Sequence, residues 1–313
     1  VRTRALNAVP AARLRPLLEE ESRHWLQALS WDYSEVGSAV LSGLQRGSVF
    51  GRVTDDGGDA LAYGYAIVDG TRVVIGGLFA TARLRAQGLE EVLLDGLIDD
   101  ARGDPATLRV EAQTLFCTAE AADSRLVRAS FVSRPRHYVV CDLDAPLPPA
   151  PGARMRALRR DDLPAASELI WRSHEGSLDA RLNSTYATAA TTRGFVESIV
   201  LRNGCGRFDP EASRVAETGS GRIAGVLLAS RLSADNGHVC QVSVAPDLEH
   251  RGIGRALLLH AMDVFRRDGM GRASLSVTVG NERARELYAR LGFATRRTFA
   301  AHAWARPPLR VEA

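Results

Sequence analysis

Lysine is missing from this 313-residue chain, and all 40 of its basic residues are arginine. That absence leaves no lysine to be modified in cis. It also excludes a Walker A phosphate loop, which needs a Gly-Lys-Ser/Thr ending. A bias this complete fits a GC-rich coding sequence. Cysteine is scarce: Cys117, Cys141, Cys205 and Cys240 lie far apart, with no C-x-x-C pair and no histidine at metal-ligand spacing. Such spacing argues against a zinc site or a disulfide framework and for a reducing cytoplasm, so no metal is expected. No apolar run of about 18 residues occurs, so no membrane span is expected. The first 30 residues, with Arg13, Arg15, Glu19 and Glu21 among them, hold no apolar stretch of the signal-peptide kind. A net charge of +3 is too small to imply a nucleic-acid partner.

The hydrophobic share of 45% and charged share of 25% are those of an ordinary globular protein. The length suffices for two domains, each with its own core. A boundary is read at DLDAPLPPAPGAR, residues 142–154, where Pro146, Pro148, Pro149 and Pro151 forbid a helix interior or a central strand. Residues 145–152 then form a stiff linker between domains at 1–144 and 153–313.

In the second half, strands are expected at 154–158, 213–217, 222–230, 238–244, 273–279 and 295–303. Helices are expected from Asp161 as N-cap to His174, and over 192–202, 253–267 and 282–291. In the first half, a hairpin turns at Asp69-Gly70 between strands 60–68 and 72–79. Helix 89–101, strand 107–113, helix 121–128 and strand 136–143 follow. Strands alternating with helices behind an antiparallel front predict a mixed α/β sheet, repeated in tandem.

The densest signal is QVSVAPDLEHRGIGRALLLHAM, Gln241 to Met262. Val242 and Val244 alternate with Gln241 and Ser243 as strand residues do. Gly252 and Gly254 uncover backbone N–H groups where an amphipathic helix starts, and the helix dipole adds positive potential there. This is an anion site suited to a pyrophosphate. A G-x-G-x-x-G dinucleotide fingerprint fails: Arg255 follows the second glycine, and no third glycine comes at the required spacing.

The order Val244-Ala245-Pro246, Gly252-Ile253-Gly254, helix, strand, Asn281, then Leu287-Tyr288-Ala289-Arg290-Leu291-Gly292-Phe293 resembles the GNAT superfamily of acetyl-CoA-dependent N-acetyltransferases, over most of residues 153–300. The resemblance implies two tandem GNAT-like acyl-CoA N-acyltransferase domains, the second catalytic, with acetyl-CoA as acyl donor and a small-molecule or peptide amine as acceptor. By the same resemblance the amide of Val242 meets the thioester carbonyl and Val244 pairs with the pantetheine arm. His250, Arg251, Gly252, Ile253, Gly254 and Arg255 hold the phosphates, Asn281 meets the donor, and Tyr288 is the general acid. Several members place a basic carboxylate eleven positions before the Gln or Arg that precedes the glycines. That position here is His238, whose unperturbed pKa of about 6.5 suits a base at neutral pH. One departure stands in the turn: Glu249 occupies the Gln/Arg position. Acceptor-side candidates are Glu175, Asp179 and Tyr186 for a cationic amine, with Arg181 and Arg193 for an acceptor carboxylate.

The first half repeats the layout without the chemistry. Its turn is Arg85-Ala86-Gln87-Gly88-Leu89-Glu90, with Glu90 at the second glycine position. Ala82 stands for Pro246, Leu126 for Tyr288 and Ala119 for Asn281. This predicts a degenerate unit retained for packing, for covering the acceptor cleft or for homodimerisation. The alternative to an enzyme is a non-catalytic acyl-CoA-binding or regulatory protein, and longer acyl donors are a third reading.

Overall fold

The computed structural model describes residues 3–84, 87–115, 119–150 and 152–307, with the backbone alone for 119–121. The elements run β1 (Arg4–Ala5), α1 (Ala11–Leu29), α2 (Ser34–Arg46), β2 (Val49–Asp55), β3 (Ala60–Asp69), β4 (Arg72–Ala80), α3 (Leu89–Gly103), β5 (Arg109–Gln113), α4 (Ala119–Arg128) and β6 (Val132–Asp142). They continue with β7 (Met155–Ala157), α5 (Leu163–His174), α6 (Leu178–Leu182), α7 (Ala189–Arg202), β8 (Arg207–Phe208), β9 (Arg214–Glu217), β10 (Ile223–Arg231), β11 (Asn236–Val244), α8 (Ile253–Arg267), β12 (Arg272–Thr278), α9 (Glu282–Arg290) and β13 (Ala294–Ala305).

The chain forms two compact units, one of residues 1–135 with 299–313 and the other of residues 136–298. In the first, the strand order is β1-β2-β3-β4-β5-β13. Among the described residues, β4 and β5 run parallel, over four register pairs from Arg72↔Arg109 to Ile75↔Ala112. In the second, the order is β6-β12-β11-β10-β9-β7 with β8 on β10. Among its described residues the parallel pair, β11 with β12, again spans four positions, from Asn236↔Arg272 to Val239↔Leu275. Each unit is thus a mixed sheet with helices on both faces, as the alternation of patterns predicts.

The compact units do not divide at the proline-rich segment. Strand β6 pairs with β12 over seven positions, Arg136↔Thr278 to Asp142↔Arg272, so residues 136–144 serve the second unit. The closing strand of the first unit comes from the far end of the chain: β13 pairs with β5 from Ala301↔Gln113 to Ala305↔Arg109. Residues 145–150 and 152 carry no helix or strand, and Pro151 lies outside the described residues.

In the second unit, α8 is amphipathic, and Leu257, Leu258, Ala261, Met262 and Phe265 give it an apolar stripe at 3–4-residue spacing. That stripe meets Val239, Leu275, Tyr288, Leu291 and Phe293 in one core cluster. Gly237 permits the approach, since a Cβ there would sit 2.3 Å from the Phe265 ring. The opposite face of the sheet is covered by α5 and α7 through Ile170, Val196 and Ile199 on Val226 and Leu228. Asp161 does not act as the N-cap of α5. A 3-10 turn, Arg160–Asp162, precedes the helix, and the Asp162 carboxylate accepts from the Arg159 amide at 2.7 Å and from Arg156 at 2.6 and 2.8 Å.

Candidate active site

The site is built where β11 outruns its parallel partner. Register pairing with β12 is present at 236–239, whereas β11 continues to Val244 and β12 to Thr278. Val242 and Val244 therefore lie on a stretch of strand paired only on its β10 side, Val242 opposite Leu227 and Val244 opposite Gly225. Val242 packs toward the α8 core, and Gln241 and Ser243 face α5, as their alternation predicts. A bulge modifies the pattern just before: Leu228 pairs with Gln241 and Ala229 with Val239. Cys240 is the extra residue, so it and Gln241 both serve the α5–α7 face.

After Val244 the Ala245 amide bonds to the Ala224 carbonyl at 2.9 Å, and Pro246 opens a 3-10 turn to Leu248. His250 and Gly252 both adopt left-handed backbone, at φ 63° and 77°. Gly252 is the N-cap of α8 and supplies no side-chain cap, and the first helical bond is Ala256 N–H to Gly252 C=O at 2.9 Å. The amides of Ile253, Gly254 and Arg255 precede that bond and are among the orphan donors of a helix start. Partly buried Arg255 and exposed His250 and Arg251 lie in the same turn. The donor set fits an anionic phosphate group.

Glu249 does not stand uncompensated in this cradle. Its carboxylate pairs with the Arg283 guanidinium in the first turn of α9. The hydrogen bond from Arg283 holds the Glu249 carboxyl below its ordinary range, against a smaller opposing effect of burial. Nothing local in the sequence ties residue 249 to residue 283, so the pair was not legible there. Asn281 is the N-cap of α9, and its Oδ1 accepts from the Ala284 amide at 3.2 Å.

Tyr288 is buried, with its ring edge-on to Phe293 at 6.0 Å. Desolvation, with a smaller contribution from the Asp179 carboxylate, pushes its phenol up to about 12. The phenol therefore keeps its proton at neutral pH.

His238 lies lower on β11, where β12 is still paired with it opposite Ser274. Its Nδ1 is 3.0 Å from Ser274 Oγ, and its ring stacks along Tyr138 at 6.2 Å and 13°. The fold thus places His238 in the closed part of the β11–β12 seam and Val242 and Val244 in the open part.

On the α5–α7 face a polar chain crosses the strand. Ser173 Oγ donates to Ser243 Oγ at 2.9 Å, Gln241 Nε2 donates to Ser243 Oγ at 2.9 Å, and the Tyr186 hydroxyl donates to Gln241 Oε1 at 2.9 Å. The His174 ring stacks on Tyr186 at 3.9 Å and 6°, and burial lowers its pKa. Thr278, the last residue of β12, donates its hydroxyl hydrogen bond to Asp179. Asp179 and Tyr186 therefore belong to one polar wall, whereas Arg193 is held by Glu197 at 2.8 Å on the exposed side of α7. Sequence reasoning missed His174, Gln241, Thr278 and Arg283, whose partners are distant in the chain.

The first unit repeats the turn. Gly88 caps α3 in left-handed backbone at φ 74°, again without a side-chain cap. Glu90 is buried within the first helical turn, and Leu126 is buried in the adjoining core. Arg85, Ala86 and Cys117 lie outside the described residues, as does the side chain of Ala119.

Residues 173–293 match the family model described as Acetyltransferase (GNAT) family. The mycothiol acetyltransferase of Clavibacter michiganensis subsp. michiganensis is 27% identical over 214 residues, 67% of this chain and 65% of that protein. Matches to curated relatives of this kind span between about a third and two thirds of those proteins' length. Among solved structures, a GCN5-related N-acetyltransferase from Sphaerobacter thermophilus shares the fold at TM-score 0.68 and 22% identity, covering 97% of this chain and 96% of that one. A tandem GNAT protein from the clavulanic acid biosynthesis pathway shares it at TM-score 0.62 and 14% identity, over 98% and 99% of the two chains. Between residues 173 and 293, over the strand, glycine turn and helices just described, the chain carries a domain of the acetyltransferase (GNAT) family.

Proposed function

We propose that the second unit transfers an acetyl group directly from acetyl-CoA to a primary amine, and that the first unit is a degenerate copy without turnover of its own. The observation that carries this reading is the opening of β11 from β12 beside the uncapped start of α8, with a buried neutral phenol, Tyr288, in the same core. Acetyl-CoA, the acyl donor, supplies a thioester whose carbonyl carbon is open to an amine. The amides of Gly252, Ile253, Gly254 and Arg255, with the side chains of His250, Arg251 and Arg255, bind its phosphates. Val244 offers main-chain pairing to the pantetheine arm, and Asn281 stands at the start of α9 near it. The Val242 amide stabilises negative charge developing on the carbonyl oxygen, a role commonly worth a few kcal/mol. Tyr288 donates its proton toward the departing sulfur, and the proton that the acceptor ammonium must lose before attack passes through water to His238, which lies in the closed part of the seam.

The acceptor is proposed to be a small-molecule amine, because the relatives named mycothiol acetyltransferase align over two thirds of this chain. Asp179 and Tyr186 receive its ammonium group. The ion pair of Glu249 with Arg283 compensates the charge that opposed the donor and so supports acetyl-CoA binding at this turn. A thiol-release screen with acetyl-CoA against amino sugars, polyamines, amino acids and peptides tests the reading. Steady turnover with one small-amine class is expected, and the absence of release above hydrolysis across all classes would overturn it.

A further inference from the structure

The first unit holds a hydrogen-bonded chain of side chains that the proposed transfer does not use. His302 lies on β13, and its side chain is 0% exposed. Nε2 of its ring is 2.8 Å from Asp123 Oδ1 on α4, and Nδ1 is 2.5 Å from Ser133 Oγ on β6. Thr114, just past the end of β5, donates its hydroxyl to the same Asp123 oxygen at 2.7 Å. The Thr114 amide in turn donates to the Ala300 carbonyl at 3.0 Å, two residues before His302. Ser133 and Asp123 are 169 and 179 residues from His302 in the chain, so the fold and not the local sequence assembles the group.

The direction of each bond follows from the groups themselves. A carboxylate accepts and does not donate, and a neutral imidazole carries one N–H. Burial lowers the pKa of His302, against the weaker opposing pull of Asp123, so the ring is neutral at neutral pH. Its hydrogen therefore lies on Nε2, toward Asp123, and Nδ1 presents a lone pair. The Ser133 hydroxyl fills that lone pair with its hydrogen, which leaves its oxygen lone pairs turned away from the ring. The order is nucleophile, base, orienting carboxylate. Ser167 and Ser213 differ: their hydroxyls donate to the Leu163 and Asp209 carbonyls at 2.6 and 2.7 Å, acceptors that cannot take up the proton. Ser133 is half-buried between exposed Val132 and Arg134, within reach of solvent. The Arg134 guanidinium donates to the Ser133 carbonyl at 2.8 Å, which keeps positive charge beside the serine.

We propose that Ser133 is an acylation site for small activated acyl groups, carried as ester or thioester, with His302 as its base and Asp123 as a positioning residue. The Ser133 oxygen attacks the acyl carbon while its proton passes to His302 Nδ1. The tetrahedral adduct then collapses. The bond from carbon to the departing oxygen or sulfur breaks, and His302 returns the proton to that leaving group. An acyl-serine and an alcohol or thiol result, with no oxidant, reductant or further reactant. The product is a modified side chain, separate from the amine transfer assigned to the second unit.

The test is acetylation of the full chain by p-nitrophenyl acetate, followed as nitrophenolate release and mapped by peptide mass spectrometry. The chain contains no lysine, so no lysine amine competes for the probe. Release of about one equivalent per chain, with the acetyl group on Ser133, is expected. Ser133→Ala should lose that adduct, and His302→Gln should slow its formation by about 10²-fold. Asp123→Ala should slow it by at least about tenfold. That variant should also lose the fixed Nε2–H tautomer of His302 in nitrogen nuclear magnetic resonance, which a merely structural role would not move. Acetyl-CoA in place of the ester separates the two donor classes: an adduct from both includes thioesters, and one from the ester alone confines the site to oxygen esters. An unlabelled Ser133 in the folded unmodified chain, or labelling no faster there than in the unfolded chain, would overturn the proposal. Both outcomes are read on the unmodified chain, so a variant that fails to fold leaves the test intact. The adduct is read by mass and not by amine turnover, so failure of the acetyl-transfer reading is distinguishable from failure of this one.

Discussion

Tyr288 and Glu249 show how much of the site depends on single side chains. Burial raises the Tyr288 phenol to about 12, so no ionisation of this group falls within the neutral range where the enzyme would work. Tyr288→Phe is expected to lower kcat by about 10²-fold, within the range of general acid catalysis, with KM for acetyl-CoA changed less than about twofold. A wild-type kcat would remove Tyr288 from the mechanism. The same shift has a stability consequence with a definite sign. Below pH 10 the phenol is neutral in both states; between pH 10 and 12 the unfolded chain releases the proton first, so stability falls as pH rises through this window. A displacement of that size corresponds to about 3 kcal/mol, and Tyr288→Phe should flatten that part of an alkaline unfolding profile. Glu249 gives the complementary test. Arg283→Ala frees its carboxylate beside the phosphate cradle and should raise KM for acetyl-CoA by about 3- to 10-fold, an effect that weakens with salt. Adding Glu249→Gln to that variant should restore most of the affinity, and a double variant as weak as the single one would show that Arg283 itself binds the donor.

At the scale of elements, the strand–turn–helix at 236–267 was readable because its signals are local: alternation in β11, Pro246 after it, glycines at the turn and an apolar stripe on α8. The hairpin at Asp69-Gly70 and the helices α3, α5, α7 and α9 were legible for the same reason. Residues 1–59 gave no comparable pattern, yet they fold as α1, α2 and β2, and α1 runs through Pro16 in its second turn. The meeting of Cys205 with Cys240 and the pairing of Glu249 with Arg283 depend on contacts 35 and 34 residues apart in the chain, and the bulge at Cys240 on the register of β11 with β10, none of which a local period encodes. Gly252 and Gly88 allow a matched comparison of the two turns. Both caps are left-handed, at φ 77° and 74°, so alanine at either should cost about 1–2 kcal/mol of stability. Only Gly252→Ala is expected to weaken acetyl-CoA binding in calorimetry, from a starting stoichiometry of about one per chain. A stoichiometry of two, or equal loss from Gly88→Ala, would show that the first turn binds the donor despite buried Glu90.

At the scale of the whole molecule, the proline-rich segment and the compact units give different answers to where the chain is divided, and the difference can be measured. Proline content marks where helix and strand stop, but it carries no information about which sheet a neighbouring strand joins. Strand β6 lies before the prolines and closes the second unit's sheet through seven register pairs with β12, burying Tyr138, Val139 and Cys141. The Tyr138 hydroxyl also accepts from Asn236 Nδ2 at 3.1 Å, joining β6 to the start of β11. A fragment begun at residue 153 loses all of this and leaves β12 as an open edge, a template for aggregation. Loss of one large buried aromatic alone costs about 3–5 kcal/mol, a large share of the roughly 5–15 kcal/mol that holds an ordinary domain. Fragment 136–298 keeps the ladder and should unfold cooperatively by calorimetry, whereas fragment 153–313 should be insoluble or melt without a cooperative transition. The first unit obeys the same logic in reverse. Fragment 1–144 lacks β13 and with it the His302 ring, which is bonded to Ser133 at 2.5 Å and Asp123 at 2.8 Å inside that unit. It should therefore recover a cooperative transition only when a peptide of residues 299–307 is supplied. Equal stability of fragments 153–313 and 136–298 would place the true boundary at the prolines and make β6 dispensable to the second sheet.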